Sequence, residues 1–135
     1  MKNRSELREI IMKVLYQMEI LKETDIEYKT EDLVKELLEV ENSFVNDTIE
    51  GIIKNKKEMI EVDNKYLKDW TMDRLNKVDQ AILLLGTYEL LYTDTPSVVA
   101  INEAIELSKK YSEEAVTKMI NGVLDKIYHE EVKED

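Results

Sequence analysis

The chain has 135 residues, 43% of them hydrophobic and 36% charged, which is enough length and apolar content for one folded domain. It contains no cysteine, which excludes disulfides and thiolate sites, and its single proline and three glycines favour long helices. The net charge of −11 argues against general nucleic-acid binding, because contacts with phosphate need lysine and arginine.

The first predicted helix occupies the N-terminal part of the chain. Apolar residues recur there at steps of three and four positions, from Leu7 to Leu21, which is the spacing of one helix face. Asn3 followed by Glu6 resembles a capping box, so we expect the helix to begin just after Asn3. It should end near residues 23–24, where a polar loop begins.

Three further helices are predicted in the middle of the chain. Thr30 can cap a short second helix, and Ser43 can cap a third, whose apolar stripe ends near Ile60. Residues 62–70 then carry apolar side chains at helical spacing, which predicts a separate short helix. A turn or a single helical turn over residues 71–75 should lead to the next helix.

The strongest apolar segment covers residues 78–92. Apolar residues lie around nearly its whole circumference, which predicts a central helix wrapped by others. A break centred on Pro96 separates it from a helix that ends near Tyr111, and a last helix should start at Ser112. We expect the charged tail over residues 129–135 to fray.

The N-terminus is the one basic part of this acidic chain. Residues 1–13 carry a local excess of two positive charges, and everything after them is acidic overall. Arg4 and Arg8 are one helical turn apart, so they should share a face. This spacing allows two interpretations. Either the arginines pair with neighbouring glutamates on a helix surface, or they form a two-pronged phosphate grip to which Lys2 would add charge.

No part of the sequence has the pattern of a catalytic or metal site. The single histidine, His129, lies beside two glutamates without ligands at HExxH-like spacing, which favours a solvated surface residue. The glycine-rich phosphate-binding motifs and the GxSxG motif are missing from the sequence. We therefore expect no enzymatic activity, no metal and no cofactor. The lack of a signal-like segment and of an 18-residue apolar run predicts a cytoplasmic protein without membrane contact.

Several strings resemble the NusB family when they are read in order. They are Tyr16-Gln17, Trp70 with Arg74-Leu75, residues 82–90 (ILLLGTYEL), Pro96, residues 99–107 (VAINEAIEL) and residues 118–125 (KMINGVLD). Their order and spacing cover residues 4 to about 128. The INEAIEL and NGVLDK strings are specific, and several such strings in register make a chance match improbable.

The resemblance implies both an architecture and a function. We expect an all-α fold of about seven helices, arranged as two small packed bundles in a single domain over residues 1–135. The family forms a pair with the small-subunit ribosomal protein NusE, and the pair binds the boxA element of nascent ribosomal transcripts. This pair helps RNA polymerase to read through terminators in an antitermination complex. The resemblance implies no catalytic activity.

The resemblance also implies roles for particular residues. The positions that match the family's RNA-binding residues are Lys2, Arg4, Arg8, Lys118 and Met119. Tyr16 and Asp79 match residues that face NusE, and we expect them close together on an exposed face. Helical spacing by itself leaves Tyr16 as either a core-edge residue or an interface residue.

Four departures from the family pattern affect the RNA surface. The arginine run is thinned to residues 4–8 (RSELR), and Met119 replaces a phenylalanine that could stack on a base. Leu84 stands in place of a common arginine, and Ala115 in place of an aspartate. These departures leave open an alternative, a NusE-binding adaptor with little RNA affinity of its own. A third reading, the NusB-like domain of ribosomal RNA methyltransferases, is disfavoured because neither a cofactor-binding αβ region nor a cysteine is found.

Overall fold

The computed structural model describes residues 2–132, and within that range it contains only helices and the segments that join them. The six α-helices are α1 (Arg4–Glu23), α2 (Thr30–Leu37), α3 (Ser43–Tyr66), α4 (Lys77–Tyr92), α5 (Ser97–Tyr111) and α6 (Glu114–Ile127). A 3-10 turn (Met72–Arg74) precedes α4, and a π-helical turn (Tyr128–Val132) follows α6. The all-α prediction is therefore confirmed, with six α-helices and two single turns. Across residues 2–132, no helix combines the length and hydrophobicity needed to span a bilayer.

Helix α4 forms the centre of the fold, as its all-round apolar surface predicts. Most of its side chains are buried, and it packs against α1, α3, α5 and α6. Helices α1, α2 and α3 pack together as one small bundle, and α5 and α6 complete a second bundle with α4. Leu85, in the middle of α4, is only 2% exposed. The two bundles share one continuous apolar core because α4 contributes to both.

The helix starts follow the predicted capping chemistry in part. The capping box of α1 is confirmed, because the Glu6 amide donates to Asn3 Oδ1 at 2.8 Å and the Asn3 amide donates to Glu6 Oε1 at 3.0 Å. The predicted caps Thr30 and Ser43 are wrong, since both are the first residues of their helices. Asn42 caps α3 instead, by accepting a hydrogen bond from a backbone amide one turn later.

The predicted short helix over residues 62–70 does not exist as a separate element. Helix α3 continues to Tyr66, because Val62 and Tyr66 extend the apolar stripe that packs on the core. The chain then leaves the helix, and Asp69 adopts a left-handed backbone conformation with φ of 61°. Trp70 lies beyond this turn with 47% of its surface exposed, so it does not continue the helical stripe.

The end of the chain is ordered further than the sequence predicted. Residues 128–132 form the π-helical turn, and the partly buried Val132 packs against the core. The Tyr66 hydroxyl donates to Glu131 Oε2 at 2.5 Å, and Lys65 Nζ lies 3.2 Å from the same oxygen. The expected fraying is therefore wrong for residues 129–132, and residues 133–135 lie outside the described range.

Two glycines permit the close packing of α4. An added Cβ at Gly51 of α3 would lie 2.0 Å from the Tyr88 hydroxyl, and one at Gly86 of α4 would lie 2.9 Å from Leu124 Cδ1. Glycine in a helix interior costs about 1 kcal/mol relative to alanine. At both positions the structure explains this cost, because a larger residue would separate the neighbouring helices.

One carboxyl group is buried in the core between α3 and α4. Asp63 has no exposed surface, and its Oδ1 accepts a hydrogen bond from the Thr87 hydroxyl at 2.6 Å. Its other oxygen, Oδ2, has no hydrogen-bond partner within residues 2–132. Burial raises the pKa of Asp63 to about 8, and the hydrogen bond from Thr87 offsets only part of that effect. Asp63 is therefore largely protonated in the folded protein at neutral pH.

Candidate nucleic-acid and partner interface

A buried ion-pair network joins α1, α4 and α5. Arg8 Nε and Nη2 donate to Glu89 Oε1 and Oε2 at 2.7 and 2.9 Å, and Arg8 Nη1 donates to Glu103 Oε1 at 2.8 Å. The Thr95 hydroxyl donates to Glu89 Oε2 at 3.1 Å, and the Ser5 hydroxyl donates to Glu103 Oε1 at 2.5 Å. The guanidinium is therefore held bidentately by one carboxylate and singly by another.

This network corrects the expectation of a two-pronged phosphate grip. Arg8 is 5% exposed, and all three of its guanidinium nitrogens already donate to carboxylates. Burial acts to lower the pKa of Arg8, but the hydrogen bonds and charges of Glu89 and Glu103 outweigh it and raise that pKa. A phosphate contact by Arg8 would require breaking these ion pairs. The first interpretation, pairing with glutamates, therefore describes Arg8, although the partners lie on other helices.

Arg4, in contrast, lies at the surface. Its guanidinium carbon is 4.0 Å from the centre of the Phe44 ring, which is the geometry of a cation–π contact between α1 and α3. Lys2 is also exposed, just before the helix. Among the described residues, neither Lys2 nor Arg4 forms an ion pair with a carboxylate. Both cations remain available to a ligand at this end of the molecule.

Helix α6 carries the second group of predicted RNA-binding residues. Lys118 is exposed, and its only described ion pair is a 3.8 Å contact with Glu114 one turn earlier. Such exposed pairs contribute little, so they do not hold the lysine in place. Met119 is half-buried and packs against the core. Ala115, in place of the family's aspartate, is exposed on the same helix. Within residues 2–132, no ion-pair contact of Lys118 links it to the region of Lys2 or Arg4.

The two predicted partner-binding residues differ in their exposure. Tyr16 is 39% exposed on α1, as an interface tyrosine requires. Asp79 is in the first turn of α4, as expected, but it is only 3% exposed and accepts a hydrogen bond from the Ser112 hydroxyl. Burial raises the pKa of Asp79, the Ser112 hydrogen bond opposes this, and the nearby Glu113 adds to it. The expectation of an exposed Asp79 is therefore wrong, because the turn between α5 and α6 covers it.

A surface groove between α5 and α6 lies beside Asp79. It has a volume of about 610 Å³ and is lined by Ile105, Lys109, Ser112, Glu114, Thr117, Lys118 and Asn121. Ser112 connects this groove to the carboxyl group of Asp79 beneath it. The groove contains two lysines and one glutamate, so its lining is positive in a chain whose net charge is −11.

Sequence reasoning missed the residues that hold Arg8. Glu89 and Glu103 both fall within strings that carry the family resemblance, but helical spacing gave no reason to pair them with a residue more than 80 positions away. The contact between the Arg4 guanidinium and the Phe44 ring on α3 was not predicted either. The signal available in the sequence was the presence of two glutamates on otherwise apolar or buried helix faces.

Arg4, Tyr16 and Lys118 are exposed on the helices of this all-α fold, which is the arrangement of a helical protein that binds partners through its surface. The NusB family matches residues 5–129, and the chain belongs to this family. The transcription antitermination protein NusB of Clostridium perfringens (strain 13 / Type A) is 40% identical over 132 residues, covering 93% of this chain and 96% of the relative. The protein of the same name from Acetivibrio thermocellus is 42% identical over 122 residues, covering 89% and 84% of the two chains. The family resemblance seen in the sequence is therefore confirmed.

Solved structures agree with this assignment. T. maritima NusB superposes with a TM-score of 0.83 at 34% identity, covering 98% of this chain and 96% of that chain. A crystal structure of the antitermination factors NusB and NusE in complex with dsRNA matches with a TM-score of 0.79 at 25% identity, covering 93% and 96%. The relatives are named as antitermination proteins rather than enzymes, in agreement with the predicted lack of enzymatic activity.

Proposed function

We propose that this chain is a transcription antitermination factor that pairs with the ribosomal protein NusE and binds boxA RNA of nascent transcripts. It would act in the cytoplasm within an RNA polymerase antitermination complex. The observation that carries this proposal is the match of nearly the whole chain to a NusB that was crystallised with NusE and dsRNA. Family membership and the names of the curated relatives support the same function.

The charge distribution favours RNA binding by the pair rather than by the chain alone. A net charge of −11 repels RNA, and the burial of Arg8 leaves Lys2 and Arg4 as the free cations predicted near the N-terminus. A basic partner would neutralise part of this repulsion.

A second candidate function is that of a NusE-binding adaptor that contacts RNA only weakly. The specific observation in its favour is the pairing of Arg8 with Glu89 and Glu103. This pairing occupies one of the two arginines in the N-terminal motif and leaves it unavailable to RNA. As an adaptor, the chain would bind its partner through the surface around Tyr16, and NusE would recognise the RNA.

Titration of a labelled boxA-type RNA separates these functions. The chain, NusE and the pair are each titrated at 50 and 200 mM salt, with fluorescence anisotropy as the readout. We expect the pair to bind more tightly than NusE alone and to show the steeper loss of affinity with salt. Equal affinity and equal salt dependence for NusE and the pair would support the adaptor function. Failure of the chain to bind NusE would contradict both functions.

Two arginine variants of the pair identify which cations contact RNA. Each phosphate contact with a single strand contributes about 0.7 to the slope of log affinity against log salt, so Arg4→Ala should reduce that slope by about 0.7. Arg8→Lys should leave the slope unchanged, since the lysine keeps the charge inside the carboxylate network. An unchanged slope for Arg4→Ala would remove Arg4 from the RNA surface.

Tyr16 and Tyr28 form a matched pair for the partner surface, because they are 39% and 38% exposed. Tyr16→Asp should weaken NusE binding in an isothermal titration, while Tyr28→Asp, in the loop before α2, should not. Thermal midpoints measured beside the affinities show whether either variant has lost stability. Equal effects of the two variants on NusE affinity would contradict the placement of the partner at Tyr16.

A further inference from the structure

Helices α2 and α3 leave an open groove between them. Helix α2 packs closely against α1 but hardly approaches α3, so the side chains of α2 and α3 do not interdigitate along their length. The groove has a volume of about 360 Å³. Its lining belongs to α2, α3 and the segment that joins them, and Tyr16 of α1 is not part of it. The groove is therefore a surface separate from the predicted NusE position.

The floor of the α2–α3 groove is apolar, and part of it faces solvent. Ile49 is buried in the floor, whereas Ile53, one turn later on α3, is 47% exposed. Val40 stands between two lining residues, Glu39 and Glu41, and is 77% exposed. This is the highest value among the exposed large apolar side chains that the structure describes. Packing within the chain does not cover Ile53 or Val40, so both are available to the apolar surface of another molecule.

The rim of the groove is strongly acidic. It carries four glutamates and one lysine, namely Glu31, Glu39, Glu41, Glu50 and Lys35. All four glutamates are exposed, and within residues 2–132 none of them forms an ion pair. Unpaired like charges around one groove repel each other, which opposes folding. A positively charged ligand would relieve this repulsion.

The charges and the apolar floor together decide which occupant fits. RNA does not suit the groove, because its phosphates would meet the rim glutamates. A second copy of this chain carries the same net charge of −11 and would be repelled. A free cation would pair with the rim but would leave Ile53 and Val40 uncovered. A basic amphipathic segment of another protein meets both requirements, and a groove between two helices accepts a third helix.

We propose that the α2–α3 groove is a docking site for a basic amphipathic helix of a second protein partner. The helix would place its apolar face against Leu38 and Ile53 and its lysines or arginines against the rim glutamates. The lining extends from Asn46 to Ile53 on α3, so the groove holds about two to three turns of the partner helix. This inference goes beyond the proposed function, because it requires neither RNA nor NusE.

A designed peptide is the probe for this site. It is a labelled peptide of about 14 residues, long enough to form a helix on binding, with leucines along one helical face and lysines elsewhere. The control peptide has the same residues in scrambled order, so it keeps the charge and loses the apolar face. Fluorescence anisotropy at about 150 mM salt, which screens distant charges, measures the affinity of the full chain for each peptide. We expect the amphipathic peptide to bind more tightly, and equal affinities would overturn the proposal.

Matched charge variants locate the peptide on the chain. Glu39→Lys, Glu50→Lys reverses two rim charges, and Glu58→Lys, Glu61→Lys reverses two exposed charges of α3 outside the lining. The two double variants change the net charge equally. The rim variant should weaken peptide binding about fivefold to thirtyfold, as expected for the loss of one or two exposed ion pairs, and the control should have little effect. Equal losses for the two double variants would contradict docking in the groove.

The apolar floor is tested separately from the charges. Ile53→Ser should weaken peptide binding several-fold, while Val98→Ser, at an exposed valine of α5, should not. Thermal midpoints show whether either variant has lost stability. Equal peptide affinities for Ile53→Ser and the parent would remove Ile53 from the site. Self-association of the chain that Ile53→Ser abolishes would assign the groove to a second copy instead.

NusE provides the last control. The peptide should bind the chain and its pair with NusE with the same affinity, because Tyr16 does not line the groove. Displacement of the peptide by NusE would overturn the assignment of the groove to a second partner and would leave the proposed pairing intact. Failure of the chain to bind NusE while the peptide still binds would contradict the proposed function alone.

Discussion

The buried carboxyl group of Asp63 makes the stability of this protein depend on pH in a particular direction. Its pKa is raised from 3.8 to about 8 in the folded state, so the folded protein keeps a proton that the unfolded chain releases above pH 4. The stabilisation is fully present below the unfolded pKa and is lost as the pH rises through the folded pKa. Asp63 should therefore lower the free energy of unfolding steadily between about pH 4 and pH 8.

The magnitude follows from the two pKa values. Each pH unit in this window lowers the free energy of unfolding by about 1.4 kcal/mol. The loss of stability from pH 5 to pH 7 is therefore about 2.7 kcal/mol, and the total loss at pH 7 is about 4 kcal/mol. Asp63→Asn removes this dependence while keeping an oxygen to accept the hydrogen bond from Thr87. Its amide nitrogen would replace the oxygen that has no partner, at a cost of about 1–3 kcal/mol. At pH 7 the free energy of unfolding of Asp63→Asn should therefore exceed that of the parent by about 1–3 kcal/mol.

Urea unfolding followed by circular dichroism at pH 5, 6, 7 and 8 measures this effect as the difference between variant and parent. The free energy of unfolding of the variant minus that of the parent should increase by about 1.4 kcal/mol per pH unit up to pH 7. Asp47→Asn is the control, because Asp47 is an exposed aspartate on the same helix and should leave the pH dependence unchanged. Parallel stability curves for Asp63→Asn and the parent would refute the reasoning.

Three substitutions test the packing of the helices against α4. Leu85→Ala should cost about 2–5 kcal/mol in urea unfolding, and an unchanged midpoint would contradict the central position of α4. Gly51→Ala should lower the thermal midpoint because its Cβ would collide with Tyr88, and a raised midpoint would show that the ring moves aside freely. Arg8→Ala should cost about 3–5 kcal/mol by leaving Glu89 buried without its cation, whereas a loss of RNA affinity at unchanged stability would return Arg8 to the RNA surface.

The fold could be predicted from the sequence wherever local signals agree. The capping box at Asn3, the break at Pro96 and the all-round apolar surface of α4 are short-range patterns, and the structure confirms each of them. The boundary near residue 62 was wrong because the apolar stripe of α3 continues through it without a breaking residue. Order at Glu131 could not be predicted either, since it depends on a hydrogen bond from Tyr66, 65 positions earlier.

The candidate site was less accessible to sequence reasoning. Helical spacing places Arg4 and Arg8 on one face, but it does not show that α4 and α5 cover the second arginine with two glutamates. The same limit applies to Asp79, which is covered by Ser112 at the turn between two later helices. Side-chain burial between distant elements is a property of the tertiary fold. An arginine near the N-terminus indicates a contact with phosphate, but the burial of Arg8 between two glutamates makes such a contact costly.

In vitro transcription through a terminator tests the central claim most directly. RNA polymerase reads a template with a boxA element upstream of a terminator, and the fraction of full-length transcript is measured with NusE and the other antitermination factors, with and without the chain. The proposed function predicts that the chain raises read-through, that this gain requires NusE and an intact boxA, and that Tyr16→Asp reduces it while Tyr28→Asp does not. Equal read-through with and without the chain would contradict its assignment as an antitermination factor.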